Sequence, residues 1–297
     1  MSELNLQLPT NDFIKIRSES ALKFDELTRL FLSAYTPGLK FFDNTETVPA
    51  FTITFVESDK KSVEVFDKEI VLHDSLSNNI PFDLYHLFYS ISRKLFIEKN
   101  TYPIHSSCFD NNGLVLVVGH SGSGKTTVAM NMIMNHGSKW ASGNKTLLSF
   151  TPDEKIRIWA GTETTTVKQS DESMYANIIG EKVPYFDRLA FQLKQDYMYK
   201  FTPESVLKSI VLIGHLEGYS EFKELSSLSA LHALFPFFLD VVNADTVLCD
   251  GGAVYSYEAG TPAKELLARN LEKSLRNTKI YSIKGSKSFV FDTLTKV

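Results

Sequence analysis

Cysteine is scarce in this sequence of 297 residues: only Cys108 and Cys249 occur, far apart, with no CxxC and no cysteine–histidine cluster. That argues against a disulfide framework or a structural zinc site and fits a reducing compartment. No apolar run approaches the roughly 18 residues of a membrane-crossing helix; the longest candidates, Gly113–Gly119 and Ile210–Ile213, are strand-sized. The opening MSELNLQLPTNDF lacks the apolar stretch of a secretory signal, so a cytoplasmic protein is expected. A basic excess is missing too. Lys plus Arg number 31 against 35 for Asp plus Glu, a net charge of −4, whereas a chain that neutralises nucleic-acid phosphates carries surplus cations. Neither nucleic acid nor a membrane is expected as a partner. With 43% hydrophobic and 22% charged residues and no internal repeat, the chain reads as globular, with one large domain or two modest ones.

Residues 1 to about 100 read as a small α+β unit. Ala21–Tyr35 has apolar residues at helical spacing, Ala50–Glu57 and Ser62–Phe66 alternate like strands, and Leu84–Phe96 is again amphipathic. Two roles fit such a unit: docking or oligomerisation, and recruiting a substrate. From residue 101 the texture changes. Ile104–Phe109 and Leu114–Val118 read as strands joined through Asp110-Asn111-Asn112-Gly113, a hairpin signal because primed turns need positive φ. A two-residue Asn111-Asn112 loop would set His105 opposite Val118. Thr127–Asn135, Ser209–Gly214, Thr246–Cys249 and Ala263–Arg276 continue as helix, strand, strand and helix, an α/β pattern.

Gly119-His120-Ser121-Gly122-Ser123-Gly124-Lys125-Thr126 fits G-x-x-x-x-G-K-[ST] at every fixed position, with a strand before it and a helix after. The glycines let successive N–H groups converge on phosphate oxygens, and Lys125 reaches the same oxygens. Thr126 places a hydroxyl for Mg²⁺, and the helix beginning near Thr127 adds its positive N-terminal end. Ser121 and Ser123, with His120, lie within reach of the phosphates. Nucleotide binding is the expectation. No LSGGQ-type signature marks an ABC ATPase, and Gly143-Asn144-Lys145-Thr146 lacks the Asp of the NKxD motif of GTPases. The charge balance speaks against a nucleic-acid NTPase, leaving a kinase or an ATP-dependent regulator.

At this point the residues resemble a known family. A hairpin running into the phosphate loop and a histidine on its first strand (Ile104-His105-Ser106-Ser107) are similar to the catalytic domain of HPr kinase/phosphorylase. A strand ending His-Leu-Glu (Ser209–Glu217) and a late helix, PAKELLARNL (Pro262–Leu271), add to the likeness, which spans about residues 103–275. The resemblance implies an α/β P-loop kinase of the HPr kinase/phosphoenolpyruvate carboxykinase-like type. Residues 1–100 would then be a small N-terminal α+β domain and 101–297 the catalytic domain. It also implies ATP and Mg²⁺ as cofactors, a homo-oligomer, and, in part of the family, small-molecule or peptide acceptors.

One departure bears on mechanism. HPr kinases carry an Asp-Asp pair after the P-loop helix, one acid for Mg²⁺ and one as base, where this chain has Gly143-Asn144. Ser138–Phe150 holds no carboxylate at all. Serine is a poor nucleophile without a positioned base. Either the acceptor is already nucleophilic, or a carboxylate from elsewhere (Asp250, Asp153 or Glu163) substitutes, or ATP binds without turnover. Asp250 leads these, because it closes the apolar strand Thr246–Cys249 in Walker-B fashion ahead of Gly251-Gly252. Asn144 would orient the acceptor or coordinate Mg²⁺, Lys145 would stabilise transferring charge, and His105 would line the acceptor side. His215 and Glu217 read as the close of a core strand. The expected function is transfer of the γ-phosphoryl group to a small molecule or peptide. A serine kinase/phosphorylase with a relocated base and a non-catalytic ATP-binding regulator are the alternatives.

Overall fold

A computed structural model describes residues 2–19, 24–42, 47–75, 82–185, 188–243, 245–249 and 253–297. Its architecture is mixed α/β. No helix is long and apolar enough to cross a membrane among these residues.

The first sheet holds β1 (Ser2–Gln7), β2 (Phe13–Ser18), β3 (Lys40–Phe42), β4 (Phe51–Glu57), β5 (Ser62–Val65) and β6 (Glu69–Asp74) in the order β3-β1-β2-β4-β6-β5. Alternation points Leu4, Leu6, Ile14, Ile16, Ile53 and Phe55 to one buried face. Two helices cover it: α1 (Glu26–Tyr35), whose Thr28 N–H is capped by Asp25, and α2 (Phe82–Glu98). The α1 start lies short of the expected one; residues 20–23 are outside the described set. Along α2, Leu84, Leu87, Phe88, Ile91 and Leu95 recur at helical spacing and are buried, each contributing about 2 kcal/mol.

The second sheet is built around β9 (Leu114–Val118), buried along its whole length. Its residues feed two cores in turn, Leu114, Leu116 and Val118 on one face, Val115 and Val117 on the other. Such an unbroken apolar run is what a central strand requires. The order is β10-β8-β9-β16-β20-β17, with β8 (Ser107–Asp110), β10 (Lys139–Ser142), β16 (Leu207–His215), β17 (Glu221–Glu224) and β20 (Lys279–Gly285). Strands β9, β16 and β20 run parallel. Helices α3 (Lys125–His136) and α7 (Lys287–Leu294) pack on one face, α5 (Ser227–Leu239) and α6 (Thr261–Leu275) on the other.

Three smaller sheets complete the fold. One holds β7 (Tyr102–His105), β11 (Lys145–Phe150) and β12 (Ile156–Gly161). Another holds β13 (Thr164–Lys168), β14 (Ile179–Tyr185) and β15 (Arg188–Leu193), beside the short α4 (Glu172–Tyr175). The last pairs β18 (Asp245–Cys249) with β19 (Ala253–Tyr257).

The expected hairpin is corrected in register. β8 pairs with β9 as Ser107↔Val117 through Asp110↔Leu114, leaving a three-residue loop rather than two. Asp110 accepts from the Gly113 N–H at 2.8 Å, and Asn112 and Gly113 take positive φ. The first strand also breaks at Ser106, so His105 belongs to β7. It stands opposite Lys145, not Val118.

Candidate functional site

The loop between β9 and α3 has the form its sequence predicts. Gly122 and Gly124 lie in the left-handed region, φ 77° and 88°. At Gly119 the need is space: an added Cβ would fall 2.7 Å from the Ile213 carbonyl oxygen and from Ser123 Oγ. Helix α3 begins after Gly124 with no side-chain cap, so the first-turn amides of Lys125, Thr126 and Thr127 are free to meet an anion. Ser123 Oγ is buried without a hydrogen-bond partner. Uncapped amides and an orphaned hydroxyl together form a set of donors that can accept an anion.

Lys125 is folded back into the loop. Its Nζ donates to the carbonyls of Gly119 at 2.8 Å and His120 at 3.1 Å. Burial first, and the nearby Lys145 second, bring its pKa down to about 8. Thr126 Oγ1 donates to the Gly143 carbonyl at 3.1 Å, which ties the loop to the Gly143-Asn144 turn. Ser107 Oγ donates to the same carbonyl at 3.1 Å, and the Ser106 N–H to the Asn144 carbonyl at 3.0 Å. The serine corner where the chain changes sheets therefore anchors that turn.

The loop opens onto a cavity of about 750 Å³. Ser121, Gly122, Gly124, Lys125, Thr126 and Thr127 line one side, and His105, Gly143 and Asn144 line another. Phe31, Ala34 and Tyr35 of α1 form a wall, so the N-terminal unit contributes to the site. Strands β13 and β15 close it with Thr164, Thr165, Thr166, Lys168 and Arg188. No carboxylate among the described residues lines it, and none of these residues forms a metal-holding group of three.

His105 and Asn144 thus line one cavity with the glycine-rich loop. Asn144 Nδ2 donates to the Ala34 carbonyl at 2.8 Å, and its backbone and side chain are hydrogen-bonding partners of His105. The amide is therefore committed to positioning the ring and α1. Burial, then the charges of Lys145 and Lys125, lower the His105 pKa to about 4, so the imidazole is neutral at neutral pH. Lys145 itself lies 4.6 Å over the Tyr89 ring.

The substitute carboxylates fare differently. Asp250 lies outside the described residues, and the strand before it corrects the Walker-B expectation. β18 pairs with β19 in a separate sheet against α2, while the parallel neighbour of β9 is β16. Asp153 is exposed in the β11–β12 turn, paired with Lys155 at the far end of β11 from Lys145. Glu163 is exposed and accepts from Gln192 at 2.5 Å. His215 closes β16 as predicted, with Glu217 at 3.5 Å.

Sequence reasoning missed Tyr35, Thr164–Thr166, Lys168 and Arg188. Hydroxyls and cations on short strands look like any solvated face; only the pairing of β13 with β15 sets them along the cavity, the threonines buried or half-buried and both cations exposed. No family model matches this chain, and no curated protein matches it.

The low pKa of His105 has a direct consequence for stability. Between pH 6.5 and about 4 the unfolded chain binds a proton that the folded chain refuses. Stability is therefore lost as pH falls through that window, by up to about 3 kcal/mol from this group. Urea unfolding at pH 6.5 and 4.5 is expected to show a smaller acid loss in His105→Gln than in the wild type.

Proposed function

We propose that the chain is an ATP-dependent phosphotransferase of the HPr-kinase-like type, acting on a small molecule or peptide side chain. The observation that carries this reading is the single cavity onto which the phosphate loop, His105 and the Gly143-Asn144 turn all open. The loop amides and Lys125 would hold the β- and γ-phosphates, with Thr126 turned to Mg²⁺. When bound, that ion offsets the charge of the transferring group.

In the transfer, the acceptor's nucleophilic atom bonds the γ-phosphorus as the bond to the β–γ bridging oxygen breaks, its electron pair leaving on ADP. A proton on the acceptor passes to the neutral His105 ring. Its basicity rises once phosphates offset the charge of Lys125 and Lys145. A loose transition state asks little of a base, which accommodates Gly143-Asn144 in place of an acid pair. Asn144 is a positioning residue here, and α1 gives the N-terminal unit a part in recruiting substrate.

The test is ADP release from Mg–ATP with pooled acceptors: amino acids, sugars, nucleosides, short Ser/Thr peptides and HPr. One pool is expected to stimulate turnover. Asn144→Ala should cut the stimulated rate about 10- to 100-fold. Because Asn144 raises the His105 pKa, its loss should also move the acid limb of the pH–rate profile to lower pH. Tight ATP binding that no pool converts to turnover would replace the kinase reading by an ATP-gated regulator. Reversal by phosphate or pyrophosphate would identify a serine kinase/phosphorylase.

A further inference from the structure

Across the cavity, β13 and β15 set Lys168 directly opposite Arg188 in antiparallel register, and both line the cavity. Like charges facing each other on neighbouring strands destabilise a sheet. Neither is paired with a carboxylate among the described residues: Glu163 is taken up by Gln192 and Glu172 by Lys182. Arg188 Nη1 donates to a neutral group, Thr166 Oγ1, at 3.3 Å. Beside them Thr164 and Thr165, 1% and 5% exposed, set their hydroxyl-bearing side chains along the same cavity. Local violations of this kind concentrate where a ligand completes the charge balance.

The position separates this pair from the phosphate loop. A Cβ on Gly143 would lie 3.1 Å from Thr165 Cβ, so β13 passes close to the turn that Thr126 holds. Lys168 stands three residues further along β13, about 10 Å. The loop amides, Lys125 and the α3 N-terminus already supply donors for a nucleotide's phosphates. Two further cations at that remove answer a second anion. We infer that Lys168 and Arg188, with the threonine hydroxyls of β13, form a subsite for a carboxylate or phosphate group carried by the acceptor. Calling the occupant the acceptor rests on the phosphotransferase reading; the oxyanion site itself does not.

The full chain, with and without saturating Mg–AMPPNP, is titrated calorimetrically with glycerate and glycerol 3-phosphate and with their shared neutral counterpart glycerol. At least one oxyanion probe is expected to bind tenfold or more tightly than its counterpart, and which one does so identifies the group as carboxylate or phosphate. Lys168→Gln with Arg188→Gln should weaken that binding at least tenfold while AMPPNP affinity changes less than twofold. Because the substitutions relieve repulsion, the melting temperature of the double variant should not fall, as it would if the pair were structural. Three results would each overturn the inference: glycerol binding as tightly as the oxyanions, no oxyanion binding to the folded wild type, or an equal loss of AMPPNP affinity in the variants. Oxyanion binding intact but no phosphoryl transfer to any acceptor would sink the phosphotransferase reading alone.

Discussion

On the phosphotransferase reading Mg–ATP stabilises the wild type thermally, and Lys125→Met is expected to abolish that stabilisation and to cut phosphoryl transfer about 100- to 1,000-fold. The ammonium is parked on the Gly119 and His120 carbonyls, at a site where burial and Lys145 already disfavour its charge. Entering phosphates reverse that balance, exchanging two neutral acceptors for anionic ones, so the ammonium gains a Coulombic attraction that the carbonyls do not offer. Methionine keeps most of the length and volume but offers no charge to the γ-phosphoryl oxygens. Stability without nucleotide should not suffer. A lysine whose folded pKa lies near 8 rather than 10.5 costs the fold free energy below pH 8, a cost that fades as pH rises between the two values. Removing the group removes that cost. Thermal melts with and without Mg–ATP, beside the ADP-release assay, separate the two effects. Transfer within tenfold of the wild type would discredit the site.

The phosphate loop is legible in the sequence because its chemistry is local. Eight consecutive residues carry the glycines, the lysine and the hydroxyl, and strand and helix signals flank them. His105 was legible as a cavity residue but not in its pairing. A hairpin register counts turn residues, and the Asp110 side chain, by capping the Gly113 N–H, adds one residue to the turn and shifts every partner. Nor does periodicity reveal that Ser106 passes the chain between sheets, since that depends on the Gly143-Asn144 turn it bonds. The partner of the strand ahead of Asp250 escaped for a related reason. An apolar strand ending in Asp looks alike wherever it pairs, and β18 finds β19 instead of the strand beside the loop. The wall of Lys168, Arg188 and three threonines is the least legible part, because long-range pairing alone brings it to the cavity.

The second large effect concerns a residue with no part in the chemistry. Arg93 lies on α2, 2% exposed, and forms no ion pair with a carboxylate among the described residues. Its guanidinium donates to three backbone carbonyls instead, Val241 at 3.1 Å, Asn243 at 2.7 Å and Tyr257 at 2.7 Å, with the Tyr257 ring 5.9 Å away. A planar fork of donors can bridge three acceptors that face different ways. It thereby joins the N-terminal helix to the chain leaving α5 and to β19. Arg93→Ala strands three carbonyls and opens a cavity, and is expected to cost about 4 kcal/mol and about 10 °C in melting temperature. Arg93→Lys keeps the charge but cannot span all three, so its loss should fall between alanine and wild type. Urea unfolding measures both. If Arg93→Ala unfolds within 1 kcal/mol of the wild type, the three carbonyls are solvated in its absence and the guanidinium is no clamp. The two substitutions should separate cleanly: Lys125→Met spares stability and removes the response to nucleotide, while Arg93→Ala lowers the melting temperature and, below it, leaves that response in place. Such a pair of outcomes distinguishes a residue that meets the phosphates from one that holds α2, and through it α1, where the cavity wall needs them.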